Sequence, residues 1–184
     1  MIRAASLATN IVKVLRRAYH RFGRCRDGTT AVELALVAPA FLALLVAILE
    51  TGVVFITQQV LQTATTEAGR LIMTGQAQAQ SLTAAQFQQD VCNYAGSLIN
   101  CANLYANVQT FATFRSMSML NPVQSNNFQS ASLNYNLGGA NDIVLVQVFY
   151  IMPVFTAPLG FDLSTLSNNN RLLVATAVFR NESY

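Results

Sequence analysis

The chain has 184 residues, enough for one modest folded domain beside a membrane segment, and only 10% of its residues are charged. Soluble globular proteins carry about 25% charged residues, so this composition argues against an ordinary soluble protein. Seven of the eleven Lys and Arg residues precede residue 28. A basic block directly before an apolar run sets membrane topology more often than it binds nucleic acid, so we expect no nucleic-acid partner.

The first segment, residues 1–28, is a basic leader. Its apolar residues recur at helical spacing, opposite most of its Lys and Arg side chains: Ile11, Leu15, Ala18 and Phe22. This spacing predicts an amphipathic helix lying on the anionic inner leaflet of a membrane. A disordered, positively charged tail is the alternative interpretation.

An apolar run without a charge follows from Leu34 to Leu49, and the apolar character resumes up to Ile56. Because a bilayer core of about 30 Å needs about 20 helical residues, we predict a transmembrane helix within residues 29–56. The basic leader places the N-terminus in the cytoplasm and the remaining chain in the periplasm or outside the cell. A cleaved secretory signal peptide fits less well, because the apolar run is too long and lacks a small-x-small cleavage site.

Glu50 interrupts the apolar character of this predicted span. A carboxylate within a membrane is costly, and it therefore indicates a functional contact by default. Here it would pair with an arginine of another subunit or fix the register of packed helices. The alternative is that the span ends early and that Glu50 reaches water at the outer leaflet.

The helical pattern continues beyond the predicted span, through residues 57–75. Small and apolar residues recur at spacings of three and four, and Gln58 and Gln62 fall outside this stripe. The predicted stripe consists of Ile56, Val60, Ala64, Ala68, Leu71 and Ile72. Gly75 is expected to end the helix, and a polar stretch follows it.

Residues 76–184 are predicted to form a folded domain outside the membrane. A second helix should begin at the N-cap Thr83 and end near Leu98. A period of two then predicts strands at Val108–Phe114, Leu133–Leu137, Ile143–Ile151 and Leu172–Arg180. Ile143–Ile151 is apolar at nearly every position and should be a central strand. The fold class is therefore α+β, with a long N-terminal transmembrane helix, a short helix and three or four antiparallel strands.

Cys92 and Cys101 both lie in the segment beyond the predicted span, a compartment in which disulfides persist. We predict that they pair, while Cys25 stays free on the cytoplasmic side. The single histidine, His20, lies in the leader, so the outer domain cannot form a catalytic Ser-His or Cys-His pair. We therefore expect no enzyme activity, and the residue spacings predict no metal, cofactor or small-molecule substrate.

The segment at the predicted membrane edge combines a small residue, Gly28, with Thr29 after it and with Glu33 before an apolar helix. This arrangement looks like the processing site of type IV pilins. Taken alone, it is equally consistent with Gly28 starting a helix and Glu33 lying at the membrane interface. The wider pattern, Gly28–Pro39 together with Ile48–Gly52 and Glu67–Arg70, resembles TadE-like proteins, the minor pseudopilins of the tight-adherence (Tad/Flp) pilus system.

This resemblance implies that a prepilin peptidase cuts between Gly28 and Thr29, which makes Glu33 the fifth residue of the mature chain. The expected partners are other pilins and pseudopilins, Tad assembly proteins and the lipid bilayer. The expected locations are the bacterial inner membrane, as a single-pass protein with a periplasmic domain, and the pilus. Two alternatives stay open: an uncleaved membrane scaffold of a secretion or pilus machine, and a membrane-tethered sensor.

Overall fold

The computed structural model describes residues 28–155 and 160–184, so the amphipathic helix predicted for the leader lies outside the described residues. The chain forms two compact units, Met1–Leu45 and Val46–Tyr184. In the first unit the described residues after Gly28 are helical. The second unit contains further helical turns, two shorter helices and all the strands.

Helix α1 spans Thr29–Met73, a length of 45 residues, and contains Pro39. It is the one helix, within the part of the chain that the structure describes, that is long and apolar enough to cross a membrane. The prediction of a long apolar N-terminal helix is therefore confirmed. The helix ends where Gly75 adopts a left-handed backbone with φ of +76°.

The buried face of α1 in the second unit differs in part from the predicted stripe. Ala64, Ala68 and Ile72 are buried as predicted, whereas Ile56 is 57% exposed. Thr57 and Thr65 are buried instead, because each hydroxyl donates to the carbonyl four residues earlier and so satisfies its polar atom.

Two short helices follow α1. Gln76–Ala79 forms α2, where the sequence indicated only a polar stretch, and Ala84–Ala95 forms α3. Thr83 and Gln86 make the predicted capping box at the start of α3. The helix ends at Ala95, three residues earlier than predicted, because Gly96 adopts a positive φ that stops the α-helical turn.

The main sheet has three antiparallel strands: β1 is Leu104–Phe111, β4 is Ile143–Pro153 and β5 is Asn170–Arg180. Their order across the sheet is β1-β4-β5. The predictions of a central strand from Ile143 and of a last strand ending at Arg180 are confirmed. The first strand begins and ends earlier than predicted, because its pairing with β4 starts at Leu104 and stops at Phe111.

The predicted strand Leu133–Leu137 was wrong. Only Tyr135 makes a β-bridge, to Val108 in parallel orientation, and its neighbours contact β1 through side-chain hydrogen bonds instead of further backbone pairing. A two-stranded sheet forms instead from β2, Val123–Gln124, and β3, Asn127–Phe128. Its hairpin lies within the long connection between β1 and β4.

Both faces of β4 are buried, which explains its nearly continuous apolar sequence. Val144, Val146 and Val148 belong to one core cluster with residues of α1 and α3. On the other face, the ring of Phe128 packs 5.8 Å from that of Phe149. Gln147 is buried on this face as well, and its side chain bonds to Asn107 and to the backbone of Leu120.

Candidate functional site

The predicted processing bond lies at the start of α1. Gly28 precedes the first α-helical residue, Thr29, and both residues are exposed. Apart from its chain neighbours and the backbone of its own helix, no atom of the described residues lies within 4 Å of the position that a Cβ on Gly28 would occupy. Glu33 is exposed one helical turn further on. Among the described residues, then, no packing obstructs access to this peptide bond.

The following turns of α1, up to residue 45, expose almost all of their apolar side chains. The large exposed residues of this stretch are Val32, Leu34, Leu36, Val37, Phe41, Leu42, Leu44 and Leu45. Leaving so much apolar surface in water would be unfavourable by about 25 cal/mol for each Å². This stretch can therefore pack against lipid or against other apolar helices.

Glu50 is half-buried, and one of its partners belongs to its own chain. The backbone N–H of Phe155, just after β4, donates to Glu50 Oε1 at 2.6 Å. This hydrogen bond lies within one chain, so the pairing of Glu50 with an arginine of another subunit stays a prediction. Sequence reasoning missed Phe155 because the two residues are separated by 105 positions, and no local signal connects them.

Two glutamines of α1 contact the outer edge of β5. Gln58 Nε2 donates to the carbonyl of Val174 at 2.9 Å, and Gln62 Nε2 donates to that of Thr176 at 3.0 Å. The N–H of Thr176 donates back to Gln62 Oε1 at 3.3 Å. These side chains take the place of a further strand, which protects an edge that would otherwise pair with another chain. The sequence had indicated that both glutamines face away from the domain.

Gly69 explains part of the small-residue pattern near the end of α1. A Cβ at Gly69 would lie 3.0 Å from the Phe179 ring of β5 and 3.8 Å from Ala177 Cβ. The neighbouring Ala68 is fully buried. The pair Ala68-Gly69 thus lets α1 approach β5 closely, which assigns it a packing role.

The predicted disulfide joins Cys92 of α3 to Cys101, which lies just before β1, with the two Cα atoms 5.7 Å apart. It closes a short loop and ties α3 to the beginning of the sheet. Such a link stabilises a fold by about 2–4 kcal/mol, chiefly by restricting the unfolded chain.

Tyr135 is the titratable group with the clearest perturbation among the described residues. Burial first, and the charge of Asp90 second, raise the pKa of Tyr135 to about 12. Its hydroxyl is buried without a hydrogen-bond partner in the described part of the chain. Its ring packs 6.0 Å from that of Phe87, which places it in the core. A packing role accounts for these contacts.

Within residues 28–155 and 160–184, no group of three His, Cys, Asp or Glu side chains is arranged to hold a metal ion. The contacts described above are those of packing surfaces. An apolar helix begins at an accessible peptide bond, and its later turns are fixed to a sheet by hydrogen bonds and close packing.

Comparison with known proteins agrees with this arrangement. No curated protein and no solved structure matches the chain. The family of TadE-like proteins, which is associated with the Tad pilus, matches residues 28–70. The match begins at Gly28 and includes Glu33, Glu50 and Gly69. Residues 28–70 of this chain are thus similar to the TadE-like family, as the sequence resemblance indicated.

Proposed function

We propose that this protein is a minor pseudopilin of a Tad-type pilus, made as a membrane-anchored precursor and used in assembling the pilus. The observation that carries the proposal is the coincidence of three boundaries. The TadE-like match begins at Gly28, α1 begins at Thr29, and the basic leader ends there. A peptidase acting at this point would release a chain that starts with an uninterrupted apolar helix.

The proposed mechanism is packing of helices rather than catalysis. In the bilayer, the exposed apolar side chains of α1 contact lipid, and in a filament they contact the helices of other pilins. Ala35, Ala38 and Ala43 are small residues that would permit close approach of such helices. The domain after α1 would contact companion pseudopilins and assembly proteins in the periplasm.

Glu33 has a specific role in this proposal. Processing would give Thr29 a free α-amino group, and the Glu33 carboxylate of a neighbouring subunit would pair with it. Such a pair offsets the cost of a carboxylate at the membrane edge. The exposure of Glu33 supports this role, because its side chain is available to another subunit.

The test is the N-terminus of the membrane-resident protein, determined by intact mass and N-terminal sequencing. We expect the chain to start at Thr29 in cells with an active prepilin peptidase. Gly28→Val should abolish this cleavage, since the branched side chain obstructs the backbone that the protease must bind. Gly23→Val, the same substitution within the leader, is the matched control and should still be cleaved.

A wild-type chain that still starts at Met1 in such cells would overturn the processing step. The uncleaved membrane scaffold would then be the better account. If Gly28→Val and Gly23→Val are both cleaved at the same bond, the role of Gly28 is wrong. The presence of the wild-type chain in a sheared pilus fraction, and its absence for Gly28→Val, would support assembly over scaffolding or sensing.

A further inference from the structure

One end of the sheet lies beside the apolar part of α1. The hydrogen bond between Glu50 Oε1 and the Phe155 N–H fixes the chain after β4 at the level of Glu50. Gln58 and Gln62 contact Val174 and Thr176 further along. β5 therefore runs alongside α1 in the same direction, and the end of β4 at Pro153 lies at the earlier turns of the helix.

At these same turns α1 still exposes apolar side chains. Leu49 is 68% exposed and Val53 is 50% exposed, and Phe55 and Ile56 are exposed to a similar extent. The exposed positions become polar only afterwards, at Gln59, Thr63, Thr66, Glu67 and Arg70. Glu50 is six residues before Ile56, which corresponds to about 9 Å along the helix. The end of β4 therefore lies beside turns of α1 that still expose apolar side chains, before the exposed positions of the helix become polar.

Two aromatic side chains are exposed at this end of the sheet. Phe155 is 75% exposed, and Phe161 is 42% exposed. Arg171, which pairs with Met152 near the end of β4, donates to the carbonyl of Leu163 and so holds the segment after Phe161 at the same end. Exposed phenylalanines next to an apolar helix can be buried at the boundary between headgroups and acyl chains, as on the apolar face of interfacial helices.

Charges at this end indicate a shallow position. Asp162 is exposed next to Phe161, and hydrogen bonds from the side chain and backbone of Ser164 hold its pKa below its usual value. A charged carboxylate is tolerated among headgroups and is costly in hydrocarbon. Phe155 and Phe161 would therefore enter the headgroup layer rather than the centre of the bilayer.

We infer that this end of the domain, including Phe155, is seated in the headgroup layer of the outer leaflet while the protein is anchored in the membrane. The occupant of the exposed aromatic surface is lipid, because the surface is continuous with the lipid-facing turns of α1. The Glu50 carboxylate is then held by a backbone N–H of its own chain at the depth where water becomes scarce. This inference rests on the membrane anchoring proposed above.

The chain contains no tryptophan, so a single Trp reports on one position. We would purify the full-length Phe155→Trp variant and reconstitute it in phosphatidylcholine vesicles containing lipids brominated either near the headgroup or near the chain end. Phe114→Trp is the matched control. It is an exposed phenylalanine just beyond the opposite end of the sheet, since Phe111 pairs with Ile143 at the start of β4. Leu44→Trp reports on the span itself.

We expect the emission of Phe155→Trp to shift to shorter wavelength on reconstitution and to be quenched most by bromine near the headgroup. Phe114→Trp should show neither effect, and Leu44→Trp should be quenched most by bromine near the chain end. If Leu44→Trp is quenched but Phe155→Trp is not, the seating is wrong and the anchoring stands. If neither is quenched, anchoring and seating both fail.

Two further outcomes would also overturn the inference. Equal quenching of Phe155→Trp and Phe114→Trp would mean that the domain lies on the bilayer without using this end. A blue shift of Phe155→Trp without quenching by either lipid would mean that a second copy of the chain covers the surface.

Discussion

Gln62 forms two hydrogen bonds with the backbone of Thr176, one to its carbonyl at 3.0 Å and one from its N–H at 3.3 Å. A side chain on a helix thereby satisfies the outer edge of a strand that is 114 residues away in the sequence. Together with Gln58, it makes the later turns of α1 a part of the domain. A helix able to lie in lipid is thus coupled directly to the sheet.

Gln62→Ala should lower the free energy of unfolding by about 1–3 kcal/mol, because both backbone groups of Thr176 lose their partner. Gln59→Ala removes an exposed glutamine from the same helix and serves as the matched control. Thermal unfolding of the full-length protein in detergent, followed by circular dichroism, measures both variants. Equal melting temperatures for the two would show that the edge contact contributes nothing.

Gly75→Ala should destabilise the protein at the end of α1. The left-handed backbone costs a non-glycine residue about 1–2 kcal/mol, and the new Cβ would lie 2.6 Å from the Tyr184 ring. Gly52→Ala, at a helical position with open space around it, should not destabilise the protein and should stabilise the helix by about 0.5–1 kcal/mol. The same unfolding measurement applies to both.

A Gly75→Ala, Tyr184→Ala double variant separates the two causes. If the clash with Tyr184 contributes, the Gly75→Ala substitution costs less in the Tyr184→Ala background than in the wild type. An identical cost in both backgrounds would attribute the whole effect to backbone strain.

Thiol labelling of the denatured full-length protein tests the disulfide. The uncleaved precursor has three cysteines, and Cys92 is bonded to Cys101, so one thiol should react before reduction and three after it; cleavage after Gly28 removes Cys25 and leaves none before reduction and two after it. A Cys25→Ser variant should give none before reduction. Three reactive thiols in wild-type protein isolated without reductant would contradict an oxidising location for the domain.

Tyr135→Phe should alter the dependence of stability on alkaline pH. Burial raises the pKa of Tyr135 from 10.0 to about 12, so the folded state keeps the phenolic proton that the unfolded state loses. The stabilisation is fully present below pH 10 and is lost as the pH rises through about 12. Between these values the wild type should lose stability relative to Tyr135→Phe.

At neutral pH Tyr135→Phe should be at least as stable as the wild type, because the buried hydroxyl loses its bonds to water on folding and has no hydrogen-bond partner among the described residues. Urea unfolding at neutral pH and near pH 11 compares them. If their difference in stability does not change with pH, the Tyr135 phenol does not have a raised pKa in the folded state.

Part of the fold follows from local patterns in the sequence. The uncharged run after Leu34 predicts a long apolar helix, since its length matches a bilayer. Thr83 and Gln86 predict the beginning of a helix, because both bonds of a capping box form within four residues. Ile143–Ile151 predicts a central strand, since only a strand buried on both faces is apolar throughout. Each of these predictions depends on neighbouring residues alone.

The wrong predictions arose where the outcome depends on distant residues. Leu133–Leu137 alternates like a strand, but only Tyr135 forms a backbone bridge to β1, because local alternation does not determine whether a segment finds a partner strand along its length. Gln62 appeared to face away from the domain, because helical periodicity does not reveal a strand edge that accepts its hydrogen bonds.

Four features could be predicted from the amino-acid sequence alone: the N-terminal apolar helix, its similarity to TadE-like proteins, the capping of α3 and the order of helices before strands. Tertiary structure decided which side of α1 is buried, the pairing of β1 with β4, and the partner of Glu50. The two groups differ in the distance along the sequence over which the deciding interactions act. Helix length, capping and hydrophobic period act over a few residues, whereas the contacts of Glu50 with Phe155 and of Gln62 with Thr176 exist only after α1 packs beside β5.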